Sequence, residues 1–158
     1  MTTIAYKDGV IAYDSRITLG TIIEHDDYEK LVESKGVKFI LTGATGDFPR
    51  LIEAYFGATH KNLDASGLAF DGEKIWRIGH NNYGGFWKIA VPPSSVCALG
   101  SGMPHAMTAM DMGASAAVAV EMAKKRDTGT GGQVRLLILS VGHTDEQTSA
   151  ASVTPGTL

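Results

Sequence analysis

The residues with the clearest chemical potential open the chain. Thr2 and Thr3 follow Met1, and Asp14, Arg16 and Lys30 come soon after. A hydroxyl is a poor nucleophile at neutral pH and needs a base beside it. A threonine at a free N-terminus carries its own, because an α-amine has a pKa of about 7.7–8.0 and is partly neutral near pH 7. Removal of Met1 would give that amine to Thr2 and not to Thr3, which favours Thr2 as the nucleophile. A retained Met1 would block it. Asp8-Gly9 between the apolar runs Thr3–Tyr6 and Val10–Asp14 is a strong hairpin signal. A two-residue turn sets Thr3 opposite Asp14, and a three-residue loop sets Thr2 there. Both options place a threonine beside the acid.

Taken one at a time, the other polar residues have plainer readings. Asp14 and Arg16 read as a turn-adjacent ion pair, and Lys30 as a solvated or edge-blocking charge on a strand. Ser101 lies between glycines, as turns require, and Asp127 after Lys124-Lys125-Arg126 reads as a helix-end charge. His25, His60, His80, His105 and His143 have no metal-site spacing, and the lone Cys97 excludes an internal disulfide or a cysteine-based zinc site. No cofactor and no metal are expected. The net charge of −3, with no basic stripe, argues against nucleic acid and anionic membrane as partners. No stretch is apolar for long enough to span a bilayer, and the start has no secretory pattern, so the expected compartment is the cytoplasm.

The elements that must position these residues follow from patterning. After the first hairpin comes a polar connector, Ser15 to Asp27, then strands over Tyr28–Glu33 and Val37–Thr42. The run from Asp47 to Phe56 has helical spacing, with Pro49 tolerable in a first turn and Gly57 as the stop. Four more strands are expected over Gly67–Phe70, Lys74–Ile78, Phe86–Ala90 and Ser95–Leu99. Two helices joined at Gly113 span Met103 to Arg126, the second over about Ser115–Lys125, and a strand occupies Gly132–Val141. The order suggests one domain over residues 1–143 with stacked antiparallel sheets covered by helices, and a mobile tail over 144–158.

Five segments, in order, are similar to proteasome β subunits and the bacterial proteasome-like peptidase. Thr2-Thr3-Ile4-Ala5 resembles their mature N-terminus, and Lys7 to Gly20 resembles the hairpin carrying an acid two positions before an arginine. Lys30 falls where the family's essential lysine stands. Thr42-Gly43-Ala44-Thr45-Gly46-Asp47 resembles the oxyanion-hole turn, and Leu99-Gly100-Ser101-Gly102 the turn whose serine lies near the nucleophile. Lys124 to Gly132 resembles the later motif, with Asp127 and, in place of the usual serine, Thr130.

The resemblance implies an α+β, four-layer αββα N-terminal-nucleophile (Ntn) hydrolase sandwich. The second helix of its first helical layer is shortened or missing, because Gly57 to Ser66 replaces most of it. It implies Thr2, Asp14, Lys30, Gly43, Ser101, Asp127 and Thr130 as the catalytic set, and Ile17, Tyr28, Leu41 and Thr45 as the substrate-binding set. The implied function is a self-compartmentalising threonine peptidase acting on peptide or unfolded protein inside a homo-oligomeric ring. The trimmed helix belongs to the surface that faces partner rings, so no particular ATPase partner is implied. The competing expectation is a catalytically silent assembly or shell protein that retains Met1. Compact forms of that kind resemble proteins encoded by phages and by bacteria outside the standard proteasome operons.

Overall fold

A computed structural model describes residues 1–140; His143 and the expected tail over 144–158 lie outside the described residues. The first two strands, β1 (Thr3–Lys7) and β2 (Val10–Tyr13), form the expected hairpin. Asp8 and Gly9 both have positive φ, 50° and 76°, as a two-residue primed turn requires. Lys7 therefore pairs with Val10 and Ile4 with Tyr13, so Thr3, not Thr2, stands opposite Asp14. The tight turn settles that register.

The connector is not a simple loop. It contains a second hairpin, β3 (Ile17–Leu19) and β4 (Ile22–His25), which pairs with neither main sheet. Leu19, Ile22 and Ile23 are exposed on it, so burial-based patterning had nothing to reveal. Next come β5 (Leu31–Ser34) and β6 (Val37–Gly43), then a 3-10 turn (Thr45–Asp47) leading into α1 (Phe48–Tyr55). Residues 57–64 contain neither helix nor strand. The chain continues through β7 (Ala65–Phe70), β8 (Ile75–Asn81), β9 (Gly85–Val91) and β10 (Cys97–Gly100). Two helices, α2 (Met103–Asp111) and α3 (Ala116–Lys124), are separated at Gly113; Ser115 caps the second by accepting from the Val118 N–H at 3.2 Å. The last strand, β11 (Arg135–Ile138), is shorter than expected, because a glycine-rich turn with Gly132 at φ 72° occupies its intended start.

One sheet has the order β10-β1-β2-β11 and the other β5-β6-β7-β8-β9, all neighbours antiparallel. On the first sheet, side chains alternate between two different cores. Ile4, Tyr6, Ile11, Tyr13 and Leu137 meet Ile40, Leu68, Phe70, Ile75 and Val91 of the second sheet. The opposite face presents Ala5, Ala12 and Ala98, whose small side chains let Ala106, Ala119 and Val120 of α2 and α3 approach closely. Helix α1 sits on the second sheet, where Phe48 and Leu51 pack on Val37, Phe39, Leu41 and Ile78. The central hairpin is thus buried on both faces. Among the described residues, no helix is long and apolar enough to cross a membrane.

Candidate active site

The centre of the site is a lysine without solvent. Lys30 immediately precedes β5, with its side chain fully buried. Its Nζ donates to Thr2 Oγ1 at 2.9 Å and to Asp14 Oδ1 at 2.7 Å. Asp14, also fully buried, immediately follows β2 and is ringed by donors. The Thr3 N–H reaches Oδ1 at 3.1 Å, and the Gly131 and Arg16 N–H groups reach Oδ2 at 2.9 and 3.3 Å. A buried charge needs such partners. Desolvation pulls the Lys30 pKa below its ordinary value, partly opposed by the attraction of Asp14 and the hydrogen bond to it.

A second acidic group faces the same N-terminus. Ser101 Oγ donates to Asp127 Oδ2 at 2.6 Å, Thr130 Oγ1 donates to the same oxygen, and the Gly129 N–H reaches Oδ1 at 3.3 Å. Burial pushes the Asp127 carboxyl up, but these hydrogen bonds outweigh it and hold the group below its usual range. Burial first and Lys30 second lower the pKa of the terminal amine on Met1, while Asp14 and Asp127 act the other way. The two acidic groups meet at Thr3, whose Oγ1 lies 2.6 Å from Thr130 Oγ1.

The backbone around Thr2 leaves room for little else. Gly100 has φ 92°, and a Cβ there would stand 1.6 Å from the Thr2 carbonyl oxygen. Gly43 is similarly forced, with φ 111° and the Asp64 carbonyl 2.4 Å from where its Cβ would be. Gly43 joins the site indirectly: its neighbour Thr42 lies beside Gly100, which lies against Thr2.

The four substrate-binding candidates are not brought together in this way. Ile17 is buried on β3, Tyr28 and Thr45 are exposed, and Leu41 is fully buried in the core beneath α1. Leu41 therefore presents no side-chain surface to a substrate, because β6 is covered on both faces. The Asp14–Arg16 ion pair is also replaced. The Arg16 guanidinium grips Asp26 at 2.7 and 3.0 Å and the Thr128 carbonyl at 3.1 Å, and only its backbone N–H reaches Asp14. Among the described residues, no group of three or more His, Cys, Asp or Glu is placed to hold a metal.

Solved structures share this arrangement of elements. The chain is similar to BPH of Thiobacillus denitrificans in complex with epoxomicin, at 20% identity and TM-score 0.63, covering 88% of this chain and 98% of that one. It is likewise similar to a eukaryotic HslV from Trypanosoma brucei, at 19% identity and TM-score 0.65, covering 87% and 98%. This is the proteasome-type Ntn-hydrolase fold. No protein-family model matches the sequence, and no curated protein does.

Within this Ntn-hydrolase fold, the delivery of Lys30 depends on a clamp that sequence reasoning missed. Arg135 on β11 donates to Glu29 Oε2 at 2.6 Å, to Asp27 Oδ1 at 2.5 Å and to Ser15 Oγ at 3.2 Å. Glu29 also accepts from the Tyr13 hydroxyl and the Leu31 N–H, both at 2.8 Å. Burial, then Glu29, raise the Tyr13 pKa, keeping the phenol a donor. Tyr13 and Glu29 adjoin Asp14 and Lys30 in sequence, so the clamp fixes both members of the ion pair. The only signal was a single cation opening an otherwise apolar strand. Replacing Arg135 with Gln removes the fork, and hydrogen exchange over residues 26–31 should accelerate by about tenfold, equivalent to ~1.4 kcal/mol of local opening. Unchanged protection there would contradict the clamp.

Proposed function

We propose that the protein is a threonine peptidase whose nucleophile is Thr2, exposed by removal of Met1. The observation that carries this reading is the buried Lys30 ammonium, bonded at once to the Thr2 hydroxyl and to Asp14. A lysine so placed favours the developing alkoxide of Thr2. The Thr2 amine would take the Oγ1 proton, directly or through water, as Oγ1 attacks the scissile carbonyl carbon. The tetrahedral oxyanion would be stabilised by the Gly43 N–H, a contribution of about 2.7–4 kcal/mol for a donor of this kind. Collapse breaks the C–N bond; the leaving amine takes the proton from the Thr2 ammonium, and an ester remains on Oγ1. Water activated by the same amine then hydrolyses the ester, regenerating Thr2. Ser101, Asp127 and Thr130 would orient the amine throughout.

The two packed sheets, flanked by α1 on one side and α2 and α3 on the other, support a four-layer αββα reading with one helix of the first layer trimmed. Homo-oligomeric ring assembly in the cytoplasm, with peptides or unfolded proteins as substrates, belongs to the same proposal. BPH was solved with epoxomicin, which suggests the probe. Intact mass of natively made protein should show loss of Met1, and an epoxyketone should add once, at Thr2. Retained Met1 with no adduct would sink the enzyme reading and leave a catalytically silent, proteasome-like shell protein. That second reading is favoured by the absence of a helix over residues 57–64.

The pH dependence follows from the site's electrostatics. The reaction needs the amine neutral and Lys30 protonated. Burial lowers Lys30 from 10.5, and an amine on Thr2 would have the Lys30 ammonium bonded to its own residue's hydroxyl, a neighbouring cation that favours the neutral amine. For peptide hydrolysis, kcat/KM should therefore rise through an acid limb as the Thr2 amine loses its proton and fall through an alkaline limb below pH 10.5 as Lys30 loses its own. A rate that keeps climbing past pH 10.5 would show that protonated Lys30 is not required.

A further inference from the structure

We propose that Thr3 is a positioning residue, its N–H and its hydroxyl bracing the two acidic groups of the site against one another. The proposal rests on the peptidase reading for its catalytic consequence, but not for its physical content. Thr3 is fully buried, at 0% exposure. Its N–H donates to Asp14 Oδ1, the oxygen that also accepts from Lys30 Nζ. Its Oγ1 touches Thr130 Oγ1 at 2.6 Å. One residue thus contacts both halves.

The direction of that hydroxyl contact follows from counting protons. Thr130 has a single O–H proton, and it points at Asp127 Oδ2. Thr130 cannot also donate to Thr3, so Thr3 donates to Thr130. Protons therefore run from Thr3 to Thr130 to Asp127, and Ser101 closes on the same carboxylate from the other side. With their protons committed to Asp127, Thr130 and Ser101 keep oxygen lone pairs available to accept from an N-terminal amine. Such chains polarise cooperatively. Thr3 sets the order at one end, and the charge of Asp127 sets it at the other.

Thr3 also has no space in which to move. A Cβ on Gly102 would stand 2.0 Å from Thr3 Oγ1 and 3.0 Å from Thr130 Oγ1, so the backbone of that turn closes the site behind both hydroxyls. Valine has the shape of threonine but carries a methyl where the hydroxyl was. A methyl needs about 3.5 Å from a neighbouring heavy atom, so it cannot sit 2.6 Å from the Thr130 oxygen. Thr130 must retreat, and Asp127 loses part of its compensation. The less-compensated carboxylate favours ammonium over amine at the N-terminus, so the amine pKa must rise.

The test uses the full chain made as a cleavable fusion that leaves Thr2 first, as wild type, Thr3→Val and Thr3→Ser. The amine pKa is read from the pH dependence of labelling by dinitrofluorobenzene, located by peptide mass, and peptide hydrolysis is measured in parallel. Thr3→Val should raise the amine pKa by about half a unit to one unit and lower kcat about tenfold, with KM within about twofold. Thr3→Ser should restore both. An unchanged amine pKa in Thr3→Val, or a Thr3→Ser chain as impaired as Thr3→Val, overturns the brace. If Thr3→Val does not fold, Thr3→Ala removes the hydroxyl without adding bulk, and a folded Thr3→Ala chain with wild-type amine pKa is equally fatal. The two proposals fail separately. A shifted pKa in a chain that hydrolyses no peptide defeats the peptidase reading alone, and an active wild type with an immovable pKa defeats the brace alone.

Discussion

Replacing Lys30 with Met should lower both stability and activity, by different mechanisms that a second substitution separates. Lys30 and Asp14 form a buried ion pair at 2.7 Å, both side chains at 0% exposure. Removing one partner of such a pair leaves the other charge buried and typically costs about 3–5 kcal/mol. Three backbone N–H groups still hold Asp14 in the variant, which places the expected loss at the lower end, about 3 kcal/mol, or a fall of ~6–12 °C in Tm. Activity should fall by about 10²–10⁴-fold, the span associated with a positioned acid–base group. Adding Asp14→Asn removes the stranded charge as well. The double variant should recover part of the lost stability and remain inactive. The amide sheds the charge and keeps one acceptor oxygen, but turns its NH2 toward a backbone N–H. Thermal melts and Thr2 labelling by the epoxyketone measure the two quantities independently. A Lys30→Met chain that kept wild-type labelling would overturn the mechanism, and a Lys30→Met chain as stable as wild type would show that the pair does not hold the fold.

The parts of this site that the sequence disclosed are those fixed by local rules. Asp8-Gly9 dictates a primed turn, the turn dictates the β1–β2 register, and the register brings Thr3 to Asp14. Pro49, Gly57 and Gly113 marked helix boundaries close to those observed. Other features needed long-range geometry. Thr3 and Thr130 are 127 positions apart, and Arg135 is 106 positions from Glu29, so neither contact has a local signature. Leu41 was misplaced because a strand buried on both faces shows no alternation to say which side a residue takes. Arg16 was paired with Asp14 for proximity in sequence, but the unexpected β3–β4 hairpin returns Asp26 to it instead. In each case the missing information was which element lay opposite.

Among the glycines of the described residues, Gly100 should tolerate alanine least, and the expected effect of Gly100→Ala divides into two measurable parts. The first is backbone strain. Gly100 has φ 92°, in a region that costs an L-residue roughly 1–2 kcal/mol. The second is collision, because the new Cβ would lie 1.6 Å from the Thr2 carbonyl oxygen and 2.6 Å from its carbon. Both are backbone atoms, and β1 cannot yield without giving up its pairing to β10 at Thr3 and Gly100. Gly113→Ala isolates the first part, since Gly113 has φ 103° but nothing within 4 Å of its would-be Cβ. Gly113→Ala should therefore lose only about 1–2 kcal/mol by urea midpoint, with Thr2 reactivity intact. Gly100→Ala should lose at least about 3 kcal/mol, towards the severe end for single substitutions. It should also slow Thr2 labelling by about 10²-fold, because moving Oγ1 by an ångström breaks its contact with Lys30. Equal stability and equal labelling in the two variants would mean that Thr2 is not held against β10 as the structure shows, and the nucleophile's position would have to be sought elsewhere.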